Sequence, residues 1–386
     1  MLTEPEPMDQ GYFQGRERLA FFGPLARLMR HGTPDDLEVP DRERILDALK
    51  AGDSANATAY LQLASLLHLQ LTFILFEWAI EWPNTLAKLR TTEDERSCTE
   101  RAFQSWQAAC DTIATNSDSG AAVEAVSKIL APALLKPGVS DAFRVAVSNG
   151  GNGAADPWVQ LHMSKRDAVA AAIERQDFHE AERLTESYWR FAVGLHDALV
   201  QYCQTYPATA SRLFGQVSAE RLIHDSFSSA SFFEGLWALG YLAPKDLAAF
   251  LAEHLRAHFS GRQRGGSVRI VEHPERYQLI FDSCGSGQEM RRRACRAGSL
   301  AEVFAEPTPA TWNRAAEVPV YCAHCAFNEI ESIRRFGYPV LVTEFDPDPE
   351  KPCGWTVYKD PRLIPDRYFE RLGMKKDTGR FSTLAE

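Results

Sequence analysis

Two cysteines separated by two residues, Cys322 and Cys325 in "CAHC", are the sharpest chemical signal in this chain of 386 residues. Such a pair supplies two thiolates at a spacing that fits one face of a tetrahedral zinc site. Two further cysteines, Cys284 in "FDSCGSGQEM" and Cys353 in "DPDPEKPCG", stand in loops next to apolar runs. The first chemistry this pattern predicts is therefore Zn2+ held by Cys284, Cys322, Cys325 and Cys353. His324, inside the pair, could replace one thiolate or reach a bound water. A zinc site with an open position polarises water or substrate, and a neighbouring acid or base moves the proton. His324, Asp282 and Glu329 are the candidates for that work, and the expected reaction is hydrolase- or lyase-type chemistry on a small polar substrate. With all four thiolates bound the site is closed, and zinc then staples a non-catalytic binding or scaffold module.

Two other chemistries compete for the same residues. The order strand, Cys-x-x-Cys at a helix N-terminus, helix, strand in "VPVYCAHCAFNEIESIRRFGYPVLVTEF" resembles the active-site segment of thioredoxin-like oxidoreductases. That resemblance implies a Cys322 thiol lowered by the helix terminus and a resolving Cys325. It covers only this segment and leaves Cys284 and Cys353 without a role. Alternatively, Cys284 is a nucleophile on a Gly-rich strand-to-helix turn, with backbone amides as an oxyanion hole and His324 as base. Ser283 stands where a G-x-S-x-G elbow has its first glycine, so the turn does not match that motif.

The elements that must position these side chains form an α+β module over 267–386. Strands are predicted at 267–273, 276–282, 339–345 and 355–360, with helices at 289–298 and 326–336 and a last one just past Pro365. Gly337 and Gly373 read as helix stops. Cys322 and Cys325 then lie at the start of one helix and Cys353 in the loop leaving the strand after it. Cys284 joins them at one rim only if its strand runs parallel to 339–345. Cys98, Cys110, Cys203 and Cys295 fall within predicted helices and read as packing residues.

The first two thirds read as helical, with an internal repeat. Tyr60, Ala64, Leu67, Leu71, Leu75, Trp78 and Trp82 form one apolar stripe at helical spacing. An offset of 124 residues yields Leu184, Tyr188, Phe191, Leu195, Leu199, Tyr202 and Tyr206. The same offset superposes Ala48 on Ala172, Asp53 on Asp177, Ala57 on Ala181, Pro83 on Pro207 and Thr85 on Thr209. In both copies the helix is expected to end near the aromatic-Pro pair. The expected organisation is a first helical repeat over 1–135, a Gly-rich loop over 136–158, a second repeat over 159–262, and the Cys-rich module over 267–386. The fold class is α+β with mostly helical N-terminal two thirds.

His196-Asp197 and His224-Asp225 sit on otherwise apolar helices, where a hydrogen-bonded core histidine is the simpler reading. Thr72, not His68, falls on His196 under the offset. His254 and His258, four apart, share a helix face and form a metal pair or a solvated one.

Composition sets outer limits. A net charge of −10 argues against general nucleic-acid binding, which needs clustered Lys and Arg. Arg291, Arg292 and Arg293 form the one basic run and read as a solvated helix face. The acidic N-terminus lacks a signal-peptide pattern. The most apolar stretch carries His68, Gln62, Gln70, Glu77 and Glu81, which suits a buried helix rather than a bilayer span. These features predict a cytoplasmic protein with reduced thiols, no membrane and no nucleic-acid partner, and are compatible with a homo-oligomer.

Overall fold

A computed structural model of the chain describes residues 19–22, 27–30, 38–135, 157–229, 239–297, 302–314 and 318–382. Most of the Gly-rich loop expected over 136–158 and the acidic N-terminus lie outside the described residues. The chain is mostly helical, with a small sheet near its C-terminus.

After a hairpin, β1 (Leu19–Phe22) and β2 (Arg27–Arg30), come four helices: α1 (Asp41–Lys50), α2 (Ser54–Leu89), α3 (Thr92–Cys110) and α4 (Ser117–Leu135). The next four are α5 (Pro157–Glu174), α6 (Phe178–Phe214), α7 (Gln216–Ser229) and α8 (Pro244–Ala257). The offset read from the sequence recurs in the local geometry that starts each long helix. Asp53 caps α2 by accepting from Asn56 N–H, and Asp177 caps α6 by accepting from Glu180 N–H. Asp53 N–H bonds back to Ala48 C=O and Asp177 N–H to Ala172 C=O. The residue before each cap is left-handed, Gly52 in one case and Gln176 in the other.

The two sets of helices interlock. Helices α3 and α4 pack on α6, while α7 and α8 pack on α2, and the two long helices touch each other. Each amphipathic helix thereby buries its stripe against the other set, and one apolar cluster takes in Leu67, Leu71, Leu75, Trp82, Leu195, Leu199 and Tyr202.

One sequence expectation fails here. Helices α2 and α6 do not end at their aromatic-Pro pairs but run through Pro83 and Pro207 to Leu89 and Phe214. An internal proline loses one backbone bond and crowds the preceding turn. What offsets this is the burial of Trp82, Thr85 and Leu86 on one side and Tyr206, Thr209 and Ala210 on the other. The rings of Trp82 and Tyr206 stack across the two helices at 6.2 Å and 15°. Helix α2 is long and apolar enough to cross a bilayer by length and composition, and 72% of its apolar window is buried inside the protein.

The last third holds β3 (Arg269–Glu272), β4 (Arg276–Phe281), α9 (Gly287–Arg296), β5 (Val303–Phe304), β6 (Val318–Pro319), α10 (Ala323–Phe336), β7 (Val342–Glu344), β8 (Cys353–Tyr358) and the single turn α11 (Arg367–Glu370). The main sheet has the order β3-β4-β8-β7 with every neighbouring pair antiparallel. Because β4 and β7 both oppose β8, they run in the same direction, which is the orientation the cysteine rim required. Strand β7 is shorter than expected. Helix α8 packs directly on β4 and β8, so Leu247, Leu251 and Leu255 share a second apolar cluster with Leu279, Phe281 and Val357.

Candidate functional site

Strand β4 ends opposite Cys353, since Phe281 pairs with it in the sheet. The chain then turns through Cys284, Gly285, Ser286 and Gly287 into α9. This turn lies against the end of α8: Gly261 N–H bonds to Ser283 C=O at 2.7 Å, and Gly285 N–H bonds to Ser260 Oγ at 3.0 Å. A Cβ on Gly285 would meet the carbonyl of His258, and one on Gly287 would meet Cys322 Sγ. These two glycines therefore let α8 and the start of α10 come onto the same turn. Helix α10 begins at Ala323, with Cys322 as its N-cap residue and Cys325 in its first turn.

These elements enclose a cavity of about 90 Å³. Its lining combines the apolar side chains Leu71, Leu75, Trp78, Phe227, Leu251 and Leu255 with Cys284, Cys322, Cys325, Ser286, His254, His258 and His324. Cys353 does not line the cavity, but it lies close enough for its charge to raise the thiols of Cys322 and Cys325. All eight cysteines are free. Among the described residues no three Cys, His, Asp or Glu side chains already stand in a metal-holding arrangement.

The thiols are neutral by environment. Burial pushes Cys322 and Cys325 well up, and the charges of Cys284 and Cys353 add to both. Burial, with Cys284 next to it, pushes Cys353 up to about 12. Cys284 is also raised by burial, although backbone N–H groups of Ser286, Gln288 and Gly287 and the Arg264 charge oppose the shift. The helix terminus does not activate Cys322, contrary to what the oxidoreductase resemblance implies, because desolvation outweighs it.

Two of the three histidines, His324 and His258, are neutral as well, and their hydrogen bonds fix their tautomers. His324 donates Nδ1–H to Tyr321 C=O at 2.5 Å, leaving the Nε2 lone pair 3.4 Å from Cys325 Sγ. Burial takes its pKa down to about 4. His258 stands at the end of a longer chain. Asp197 accepts from His196 Nδ1–H at 2.9 Å, so His196 Nε2 is an acceptor, and it lies 3.0 Å from His258 Nδ1. His258 therefore carries its proton on Nδ1, which the Ser286 oxygen also approaches at 3.0 Å. Its lone pair is on Nε2. Burial and the neighbouring His254 and His196 hold the ring well below the ordinary histidine range.

Asp197 anchors the chain. Burial alone would raise its pKa, but Arg264, Arg293 and His196 overcome that and hold the carboxyl below the usual range.

Other residues singled out from the sequence lie elsewhere. Asp282 is exposed and pairs with Arg292 at 2.7 Å. Glu329, one turn past Cys325 on α10, is fully buried outside the cavity, where Arg371 donates at 2.6 Å, Thr343 N–H at 2.9 Å and Trp312 Nε1–H at 3.2 Å. Neither lines the cavity. His224 bonds Glu331 and Asp225, each at 2.9 Å, also away from it. The residues the sequence undervalued are His258 and His196. The signal for His258 was its four-residue spacing from His254; nothing local marks His196 as its partner.

Gly287 gives a direct check on this packing. Gly287→Ala is expected to force Cys322 off its seat and cost about 1–3 kcal/mol as overpacking. Urea denaturation of the variant would measure it, and an unchanged midpoint would mean that the turn and α10 are not in contact.

No family model matches the chain, and no curated protein or solved structure shows significant similarity to it.

Proposed function

We propose that this chain is a zinc-dependent enzyme of hydrolase or lyase type, working at the thiol-lined end of this cavity. The observation that carries the reading is that Cys284, Cys322 and Cys325 line one cavity with two tautomer-locked, neutral histidines. Thiols raised by burial are poor nucleophiles at neutral pH, but a divalent cation deprotonates coordinating thiols outright. Three thiolate ligands would leave a fourth position toward the cavity, as catalysis requires. When bound there, Zn2+ supplies Lewis acidity at that position.

The remaining work falls to the chain's own side chains. His258 takes the acid/base role first assigned to Asp282 and Glu329, since its Nε2 carries a lone pair and its Nδ1–H is backed by His196 and Asp197. His324 stands beside Cys325 as the second neutral imidazole. The apolar wall suits a small substrate with a hydrocarbon body and one polar, reactive group. Free thiols fit a reducing, cytoplasmic setting.

A second reading is favoured by Cys353, whose closeness to the other thiols would complete a closed site of four thiolates in a non-catalytic module. Cobalt substitution separates the two. The enzyme reading expects Co2+ to bind with visible bands of a tetrahedral thiolate site, and these bands to shift when azide is added. Bands indifferent to azide mean a closed structural site, and a colourless protein means no site.

A further inference from the structure

A second cavity, of about 330 Å³, is lined in part by Asp197 and by none of the thiols. Four arginines wall it: Arg42 from α1, Arg190 from α6, Arg264 from the 262–264 turn, and Arg293 from α9. This is an unusual concentration of positive charge in a chain whose net charge is −10.

The carboxylates around it do not balance it. Arg42 pairs with Glu186 at 2.6 Å. Asp197 is shared by Arg264 at 2.5 Å and Arg293 at 2.9 Å. Asp118 is likewise shared by Arg190 at 3.1 Å and Lys165 at 2.8 Å. Glu289 lies 3.9 Å from Arg264 but is held at 2.6 Å by Arg296. Among the described residues these ion pairs set six cations against four carboxylates, an excess of two positive charges. The Nε of Arg264 is buried and has no hydrogen-bond partner among the described residues. A buried donor on a cation costs free energy until an acceptor meets it. Asn116 and Trp189, which also line the cavity, add a polar and an aromatic wall.

We propose that this cavity binds a small dianion, a phosphate group or a dicarboxylate, gripped by Arg190, Arg264 and Arg293. Planar guanidinium forks match the paired oxygens of both groups. The anion would sit one carboxylate away from the chain Asp197–His196–His258 that ends in the thiol-lined cavity. The proposal does not depend on zinc, and its test contains none.

Calorimetric titration of the full chain at low salt, with inorganic phosphate in one arm and succinate in the other, tests it. Saturable binding of one anion per chain is expected in at least one arm, and the arm that responds identifies the ligand chemistry. Arg190→Ala is expected to weaken it about tenfold, the loss of one charge-assisted contact. Arg190 is half-exposed, and Asp118 keeps Lys165 and Ser187, so the fold should survive. If circular dichroism shows that this variant does not fold, Arg190→Gln, which keeps the length of the side chain without its charge, carries the same comparison. Arg183→Ala, outside the cavity, should bind as the parent does. Absence of saturable binding in both arms overturns the proposal. So does equal affinity in parent and cavity variant, which would mean an adventitious ion only.

Discussion

Acidification is expected to unfold this protein well above the pH at which carboxylates titrate. His68, His162 and His196 are almost fully buried, and burial is the largest cause that lowers each pKa, to about 3 for His162. Their neutral forms are locked into interior contacts: Tyr188 Oη lies 3.1 Å from His68 Nδ1 and 3.2 Å from His162 Nε2, and His196 sits between Asp197 and His258. In the unfolded chain each would titrate near 6.5. The folded pKa is the lower one, so the unfolded state binds more protons as pH falls. The stability these groups contribute is fully present above about pH 6.5 and is lost progressively below it. Each costs about 1.4 kcal/mol per pH unit once only the unfolded chain is protonated. Three together cost about 4 kcal/mol per unit, against a total stability of roughly 5–15 kcal/mol for a domain. His224 works in the opposite sense, raised by Glu331 despite partial burial, but it is one group. Urea midpoints at pH 7, 6 and 5 would give the slope. His162→Asn should remove about one proton from it. A slope below one proton would show that these histidines are not buried in neutral form.

The second large effect concerns the thiols. Cys322→Ser and Cys325→Ser are each expected to take zinc from one ion per chain to nearly none. A structural zinc site is worth about 10–16 kcal/mol over four ligands, so one ligand accounts for about 2.5–4 kcal/mol, roughly fiftyfold to several hundredfold in affinity. Cys284→Ser should behave in the same way, because Cys284 lines the same cavity. Cys295→Ser should not, since that thiol is exposed on α9. Metal analysis of the purified proteins, with competition against a chelator, provides the measurement. Parent protein free of zinc, or variants that retain it, would remove the metal reading. A reversible Cys322–Cys325 disulfide in metal-free protein would replace it with thiol exchange, which must then overcome the raised pKa of both sulfurs.

What the sequence by itself determined is the short-range part. Helical periodicity, the matched pair Asp53 and Asp177 that proves to cap the two long helices, and the glycine stop at Gly337 all act within a few residues, and the periodicity and the stop were legible where they stand. The same holds for Cys322 and Cys325 opening a helix. The proline rule misled because it is also local, and the burial of Trp82 and Tyr206 that overrides it is not. Tertiary structure alone decided which side chains share a cavity. Glu329 stands one turn beyond Cys325 on the same helix, yet it points at Trp312 and Arg371. His258 comes from a helix far earlier in the chain, and it reaches the thiols because two glycines let backbones touch. His196 meets it across a long sequence separation. The direction of a helix face is set by what the rest of the chain packs against it, and no local pattern encodes that choice.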